Sequence, residues 1–343
     1  MASASATTFK PLVLVTGLSG YCAASIAVHF LEAGYRVRGT VRRQAQADAW
    51  AAHYPQWHDC LEPVVVPDLG LPGACDSACE GVEVVVHPAS PFFYGYTDNE
   101  RDMLLPAVRG TLGVLESSHK AGTVRQVVVT SSFAAMQDYH QGEAHDYTYS
   151  ERDWCPLTWD EAKTSKDQTL VYVASKKFAE EAAWKFVEER KPGFSLTTIL
   201  PTFIIGRSVQ PIKSAADLSV SAGWIRSLLD ASEVPAAPIP AMVSVSDVAL
   251  AHLRAVERSD VAAGQRYFLV GDEFTGAAAV RAARRVFPKL AEEGRFPEPA
   301  DESEEKMHWR WDVSKTEREL GIEWMSLEQT VKEALEQVLE LQG

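Results

Sequence analysis

Leu12-Val13-Leu14-Val15-Thr16 is a short apolar run rich in β-branched residues, and Gly17-Leu18-Ser19-Gly20-Tyr21-Cys22-Ala23 follows it without a gap. Ala24 to Ala33 then places Ile26, Ala27, Phe30 and Leu31 on one helical face and stops at Gly34. A strand that runs through a glycine turn into a helix builds a phosphate-binding corner. Gly17 permits the tight turn, Gly20 lets the backbone approach a pyrophosphate, and Ala23 lets helix and strand pack closely. The helix N-terminus then faces the anion. Ser19, Tyr21 and Cys22 share the turn and are expected beside a bound dinucleotide.

The pattern after the turn extends this corner into a fold. Tyr35–Val41, Val64–Val66, Val82–His87, Val124–Thr130 and Ser195–Leu200 read as further strands. Helical segments separate them at Gln44–His53, Ala74–Cys79 and Asn99–Ala121, with another that carries Tyr172 and runs to about Arg190 before Pro192-Gly193. Alternating strands and helices of this kind predict an α/β fold, a doubly wound parallel sheet of Rossmann type with a smaller discontinuous C-terminal substrate domain. The expected division is 11–205 with 243–270 for the dinucleotide-binding domain and 206–242 with 271–343 for the substrate-binding domain. Val243–Val256 and Arg266–Val270 are read as the return to the sheet. Residues 206–242 are rich in Pro, Ser and Ala, with one short helix expected over Gly223–Leu229. The polar stretch 136–169 is long for a loop in a compact domain and is read as an active-site flap.

Ligands of such sheets sit at the carboxyl ends of the strands, where Gly17, Arg42, Asp68, Ser90, Ser132 and Pro201 fall. After the second strand, an NAD-binding chain commonly carries an acid for the ribose 2′-hydroxyl. This chain carries Arg42 and Arg43, two guanidiniums suited to a 2′-phosphate, so NADPH is expected as cofactor. Asp68-Leu69 either meets the adenine edge or caps its own turn. Ala89, Ser90 and Pro91 are small enough to let the backbone pass the nicotinamide ribose, Thr130 ends its strand nearby, and Pro201 and Phe203 follow the strand Ser195–Leu200. His87 reads as a structural histidine.

Tyr172 and Lys176 lie four apart, one turn along the same helix face. An ammonium there favours ionisation of the phenol. Of Ser131 and Ser132, Ser132 is the expected carbonyl hydrogen-bond donor, because Ser131 faces the other way along an extended chain. The three groups suit reduction of a carbonyl, given a hydride. Phe92, Phe93, Phe133 and Trp224 either line an apolar substrate pocket or belong to the core.

The charge balance narrows the classes further. The formal net charge of the 343 residues is -14, with no basic block, which argues against nucleic acid or an anionic membrane surface as partner. Five cysteines without a C-x-x-C pair give no metal-site spacing, and they suit a reduced, cytoplasmic setting. Met1–Lys10 has no apolar core of a signal peptide, and no run approaches the length of a membrane span.

With these residues in view, the chain resembles the extended short-chain dehydrogenase/reductases. Within them it resembles the dihydroflavonol-reductase-like group, and in particular fungal NADPH-dependent aldehyde and carbonyl reductases of the methylglyoxal type. The resemblance runs from about Pro11 to Gly321. It rests on V-L-V-T-G-x-x-G, H-P-A-S-P-F at 87–92, P-A-V-R-G-T-L-G-V-L at 106–115, V-V-T-S-S at 128–132 and V-Y-V-A-S-K-K at 171–177. A-A-W-K-F at 182–186, V-S-D-V-A-x-A-H at 245–252 and D-V-S-K-T-x-x-E-L-G at 312–321 continue it. Leu18, Cys22, Thr202 and Ser244 depart from the usual pattern, and the N-W-Y-C-Y signature of cinnamoyl-CoA reductases is absent around Tyr172. The resemblance implies Ser132, Tyr172 and Lys176 as catalytic residues, a small-molecule carbonyl substrate and stereoselective reduction. A sugar-nucleotide epimerase or dehydratase, and a dinucleotide sensor of the same fold, are the rival readings. Nothing in the sequence decides between a monomer and a homodimer.

Overall fold

The computed structural model describes residues 10–90, 95–141, 146–299 and 309–342. Pro91, Phe92 and Phe93 of the sequence-based site lie outside the described residues. The first half of the chain alternates β1 (Lys10–Val15), α1 (Tyr21–Glu32), β2 (Tyr35–Val41), α2 (Gln44–His53), β3 (Leu61–Val65), β4 (Val84–His87), α3 (Leu105–Ala121) and β5 (Gln126–Thr130). Next come β6 (Thr148–Tyr149), α4 (Trp159–Thr164), α5 (Gln168–Arg190), β7 (Ser195–Pro201), β8 (Phe203–Ile205), α6 (Val220–Trp224), β9 (Ala241–Ser244), α7 (Val245–Glu257), α8 (Ser259–Ala262) and β10 (Arg266–Leu269). The chain closes with β11 (Asp272–Glu273), α9 (Gly276–Val286), α10 (Pro288–Glu292), β12 (Arg310–Trp311), α11 (Ser314–Leu320) and α12 (Leu327–Glu340).

Seven strands form one parallel sheet in the order β10-β7-β5-β4-β1-β2-β3. The expected doubly wound sheet is therefore present. Its inner strands are buried on both faces, and their alternating side chains feed two cores. Val13, Val15, Val84, Val86 and Val128 pack with α1, α2 and α7 on one side. Leu12, Leu14, Val85, Val127 and Val129 pack with α3 and α5 on the other. A second sheet, β11-β9-β8, supports a third core in which Ile205, Met242 and Phe274 meet Val280 of α9 and Val331 and Leu335 of α12.

Several elements differ from their sequence reading. Helix α1 begins at Tyr21, three residues before Ala24. The segment read as a helix over Ala74–Cys79 is a single 3-10 turn, Ser77–Cys79, entered through Gly73 at φ 72. Ahead of α3 the chain forms one wide π turn, Glu100–Leu104, because Pro106 in the first turn of α3 has no N–H for an α-helical bond back to that turn. Of the two segments read as returning to the sheet, Arg266–Leu269 pairs with β7. Val245–Glu257 is a helix packed on α1, its apolar residues Val245, Val248, Ala249 and Leu253 falling at i, i+3, i+4 and i+8 on one face. The stretch 136–169 carries structure of its own, since β6 pairs with β12 and Thr158 and Glu161 form a capping box at α4. No helix among the described residues is long and apolar enough to cross a membrane.

Asp247, in the first turn of α7, ties the second sheet's neighbourhood to the C-terminal helices. Its buried carboxylate accepts the N–H of Met325 at 2.9 Å. Burial pushes this carboxyl up to about 6 from its ordinary 3.8, more than the Met325 N–H pulls it down. The folded chain thus holds this proton more tightly than the unfolded chain, and stability falls as pH rises through that window. An amide at this position keeps the acceptor and loses the buried charge. Asp247→Asn is expected to raise Tm by a few degrees at pH 8 and to leave it unchanged near pH 4, as followed by thermal melts at both pH values.

Candidate active site

Strand order reverses between β1 and β4, so the chain leaves the sheet in opposite directions there and opens a crevice at the carboxyl ends. Gly17 sits at its floor with φ +69, and a Cβ there would come within 3.0 Å of the Ala89 Cβ beyond β4. The turn is held from both sides. The Gly17 and Leu18 N–H groups donate to the hydroxyl and carbonyl of Thr40 at 2.8 and 2.7 Å, and the Gly20 N–H donates to the Gly17 carbonyl at 2.7 Å. Leu18 is fully buried and plugs the turn onto β2. Gly20 is the extended N-cap of α1 and no side chain caps this helix, which leaves its first-turn N–H groups for an anion. Below the turn, the Thr16 hydroxyl meets His87 Nδ1 at 2.7 Å. Burial, with Lys176 nearby, pushes His87 down to about 3, so it is neutral and structural.

Arg42 and Arg43 are exposed at the β2–α2 junction. Their backbone N–H groups both donate to Gln46 Oε1, at 3.1 and 3.2 Å, and Gln46 Nε2 donates to the Ser19 hydroxyl at 3.1 Å. Gln46 therefore ties the arginine pair to the glycine turn. A segment from the far lobe lies across the same turn. Tyr21 Oη donates to the Gly206 carbonyl at 2.8 Å, Tyr54 Oη to the Val209 carbonyl at 2.6 Å, and Gln210 Nε2 to the Ser19 carbonyl at 2.6 Å. Gln337 of α12 holds this strap from behind through both backbone groups of Ser208, at 2.7 and 2.6 Å. Sequence reasoning passed over Gln46, Gln210 and Gln337. Only the position of Gln46, one turn into the helix after the arginines, offered a local signal. Asp68 accepts the Gly70 N–H at 2.8 Å and so caps its own turn, while the Leu69 carbonyl lies against Gly113 of α3.

Tyr172 and Lys176 lie on α5, and Ser132 follows the end of β5. Asp167 caps α5 by accepting the Thr169 N–H at 2.9 Å, which starts the helix one turn before Tyr172. Tyr172 is half-buried. Lys176 is only 8% exposed, and its Nζ donates to the Thr130 carbonyl at the end of β5, 3.2 Å away. Burial pushes the Lys176 ammonium down to about 8, although Glu180 pulls it up. It is therefore charged at neutral pH. Cys22 itself is a neutral thiol, pushed up to about 12 by burial. The Thr130 hydroxyl donates to Nε2 of His252, whose Nδ1–H donates to the Val248 carbonyl, both at 2.7 Å. Burial pushes His252 down to about 4, consistent with this neutral tautomer.

The two serines after β5 have different surroundings. Ser131 is buried and its hydroxyl donates to Glu180 Oε2 at 2.5 Å. Ser132 is half-buried, and its oxygen accepts the Ala134 N–H at 3.1 Å. Ala89 is half-buried and Ser90 exposed at the end of β4, and Pro201 is buried at the end of β7. Phe133, read as a pocket residue, is 2% exposed and sandwiched between Phe268 and Trp309, with ring centroids 5.5 and 4.6 Å away. It is a core residue, because the 3-10 turn Phe133–Ala135 points it back under the sheet end. Phe203 and Trp224 are half-buried and both pack on Phe274, at 5.7 and 4.8 Å.

Residues 13–271 match the NAD dependent epimerase/dehydratase family. The chain belongs to this family. The resemblance to extended short-chain dehydrogenase/reductases read from the motifs is borne out. The chain is 35% identical to a ketoreductase of Aspergillus niger, over 96% of this chain and 97% of that protein. It is 32% identical to an NADPH-dependent methylglyoxal reductase of Saccharomyces cerevisiae, over 96% of this chain and 99% of that protein. Among solved structures, Gre2 of Candida albicans in complex with NADPH superposes with a TM-score of 0.89 at 33% identity, covering 97% of this chain and all of that one (100%).

The glycine turn generates a direct prediction. A side chain at Gly17 costs about 1–3 kcal/mol in left-handed backbone alone, besides the contact with Ala89. Gly17→Ala is expected to weaken NADPH binding about tenfold or more in a fluorescence titration, with the far-UV circular dichroism of the folded chain retained.

Proposed function

We propose that this protein reduces an aldehyde or ketone to the alcohol, stereoselectively, with NADPH as the hydride donor. The observation that carries the reading is the buried, charged Lys176, one turn from Tyr172 and bonded to the strand end that leads into Ser132. The residues present fit the dinucleotide. A Cβ at Gly20 would meet the Gly17 carbonyl at 3.1 Å, so the turn is shaped for close approach, and α1 offers an uncapped N-terminus above it. Arg42 and Arg43 are the groups for the 2′-phosphate, beside Ser19 and Gln46. The relatives with printed activities are reductases, two of them described with NADPH.

When bound, NADPH supplies the hydride that the chain itself cannot. Ser132 and Tyr172 donate hydrogen bonds to the substrate carbonyl and stabilise the charge that develops on its oxygen. Tyr172 then gives that oxygen a proton. Lys176 orients the nicotinamide ribose, and its cation favours proton release from the neighbouring phenol. Residues 11–205 with 243–270 hold the dinucleotide, and 206–242 with 271–343 close the substrate side, where Phe203 and Trp224 offer apolar walls. A sugar-nucleotide epimerase would recycle a tightly held NAD, for which the exposed arginine pair is poorly suited.

Net NADPH oxidation in the presence of simple aldehydes, β-keto esters and aryl ketones tests the reading, and absence of turnover on all of them would sink it. Tyr172→Phe is expected to lower kcat by about 10²–10⁴-fold while NADPH still binds; a near-normal rate removes Tyr172 as the acid. Arg42→Ala is expected to raise KM for NADPH far more than for NADH, and equal effects would place 2′-phosphate recognition elsewhere.

A further inference from the structure

One turn beyond Lys176 on α5 lies Glu180, which is 1% exposed. Its carboxylate gathers donors from four elements. Oε2 accepts from the Ser131 hydroxyl after β5 at 2.5 Å and from Arg266 Nη2 at 3.3 Å. Oε1 accepts from the Thr198 hydroxyl of β7 at 2.8 Å, Arg266 Nε of β10 at 2.8 Å and Trp184 Nε1 at 3.2 Å. Arg266 is held in turn. Its Nη1 donates to the carbonyls of Glu151 and Asp153 at 2.6 and 2.7 Å, and its guanidinium stacks 3.8 Å from the Trp154 ring centroid. Only a planar five-donor cation can grip a carboxylate on one edge and two carbonyls on the other.

We propose that Glu180, with Arg266 as its counter-ion, is a positioning residue for the candidate catalytic set, locking Lys176, the Ser131–Ser132 strand end and the 151–154 segment into one arrangement. Two facts argue for more than fold stability. Ser131 is the immediate neighbour of Ser132, so the Ser131–Glu180 bond sets where the Ser132 hydroxyl begins its reach. The titratable and charged groups around Lys176 are Tyr172 and Glu180 on its own helix, Cys22 from α1, His87 from β4, His252 from α7 through Thr130, and Arg266 behind Glu180. Cys22, His87 and His252 are neutral. Among the described residues, Glu180 is thus the anion that offsets the burial of the Lys176 ammonium, and it pulls that group up.

This inference rests on the proposed Ser132–Tyr172–Lys176 chemistry. The test is the pH dependence of kcat/KM for NADPH-dependent carbonyl reduction by the full chain. The native enzyme is expected to lose activity along an alkaline limb as Lys176, pushed down to about 8, and the phenol of Tyr172 beside it give up their protons. Glu180→Gln is expected to move that limb to lower pH and to lower kcat by about a hundredfold, the scale of a small misplacement of reacting groups, with NADPH affinity held within about threefold. Glu180→Asp, which keeps the charge, is expected to return the limb toward its native position. If Glu180→Gln does not fold, Glu180→Gln combined with Arg266→Met removes the orphaned cation and is expected to show the same acid shift. A folded variant without the carboxylate but with the native limb and kcat overturns the proposal. So does failure of both variants to fold, which would reduce the cluster to a fold element. If Tyr172→Phe were near-normal the underlying chemistry would fail. An inactive Tyr172→Phe beside a native-like Glu180→Gln would reject the positioning role alone.

Discussion

The reversal of strand order between β1 and β4 is the constraint on which the rest of the molecule depends. Parallel strands need crossover helices, and crossovers of one hand on either side of a reversal must lie on opposite faces. Helices α1, α2 and α7 therefore cover one face and α3 and α5 the other. The carboxyl ends of β1 and β4 are left uncovered between them. Gly17 and Ala89 fill that floor at contact distance, and the uncapped start of α1 rises beside it. Helix α5, on the opposite face, points the Lys176 side chain at the neighbouring strand end.

The site buries charge where stability alone would not. The Lys176 ammonium is pushed down to about 8 by burial and still protonated at neutral pH, bonded to one carbonyl and pulled up by Glu180. Glu180 and Arg266 form an ion pair with almost no solvent contact, their side chains 0% and 10% exposed. Such pairs are rarely net stabilising against a well-packed apolar substitute, but breaking one partner costs about 3–5 kcal/mol. Their value lies in geometry, because a carboxylate with five donors has few alternative arrangements. The lobe built on β8, β9 and β11 reaches the same crevice differently, through backbone carbonyls of the strap at Gly206 and Val209 and the side chain of Gln210.

What the sequence determined by itself was local and periodic. Strand, glycine turn and helix follow within about twenty residues, and each step has a steric reason visible in the residue types. Tyr172 and Lys176 share a face because a helix repeats every 3.6 residues. Ser131 and Ser132 part company because an extended chain alternates. The structure bears out the doubly wound sheet, and it brings Lys176 to the Thr130 carbonyl and Ser131 to Glu180. Only tertiary structure decided which distant groups meet. Glu180 and Arg266 are 86 residues apart, and Ser19 and Gln210 are 191 apart. Phe133 reads equally well as wall or core until Phe268 and Trp309 close on it. Val243–Val256 reads as a return to the sheet until the apolar face of α7 within it finds α1. Propensity and spacing act through neighbours in the chain, whereas the partner of a buried charge or ring is chosen by what the packed sheet brings alongside it.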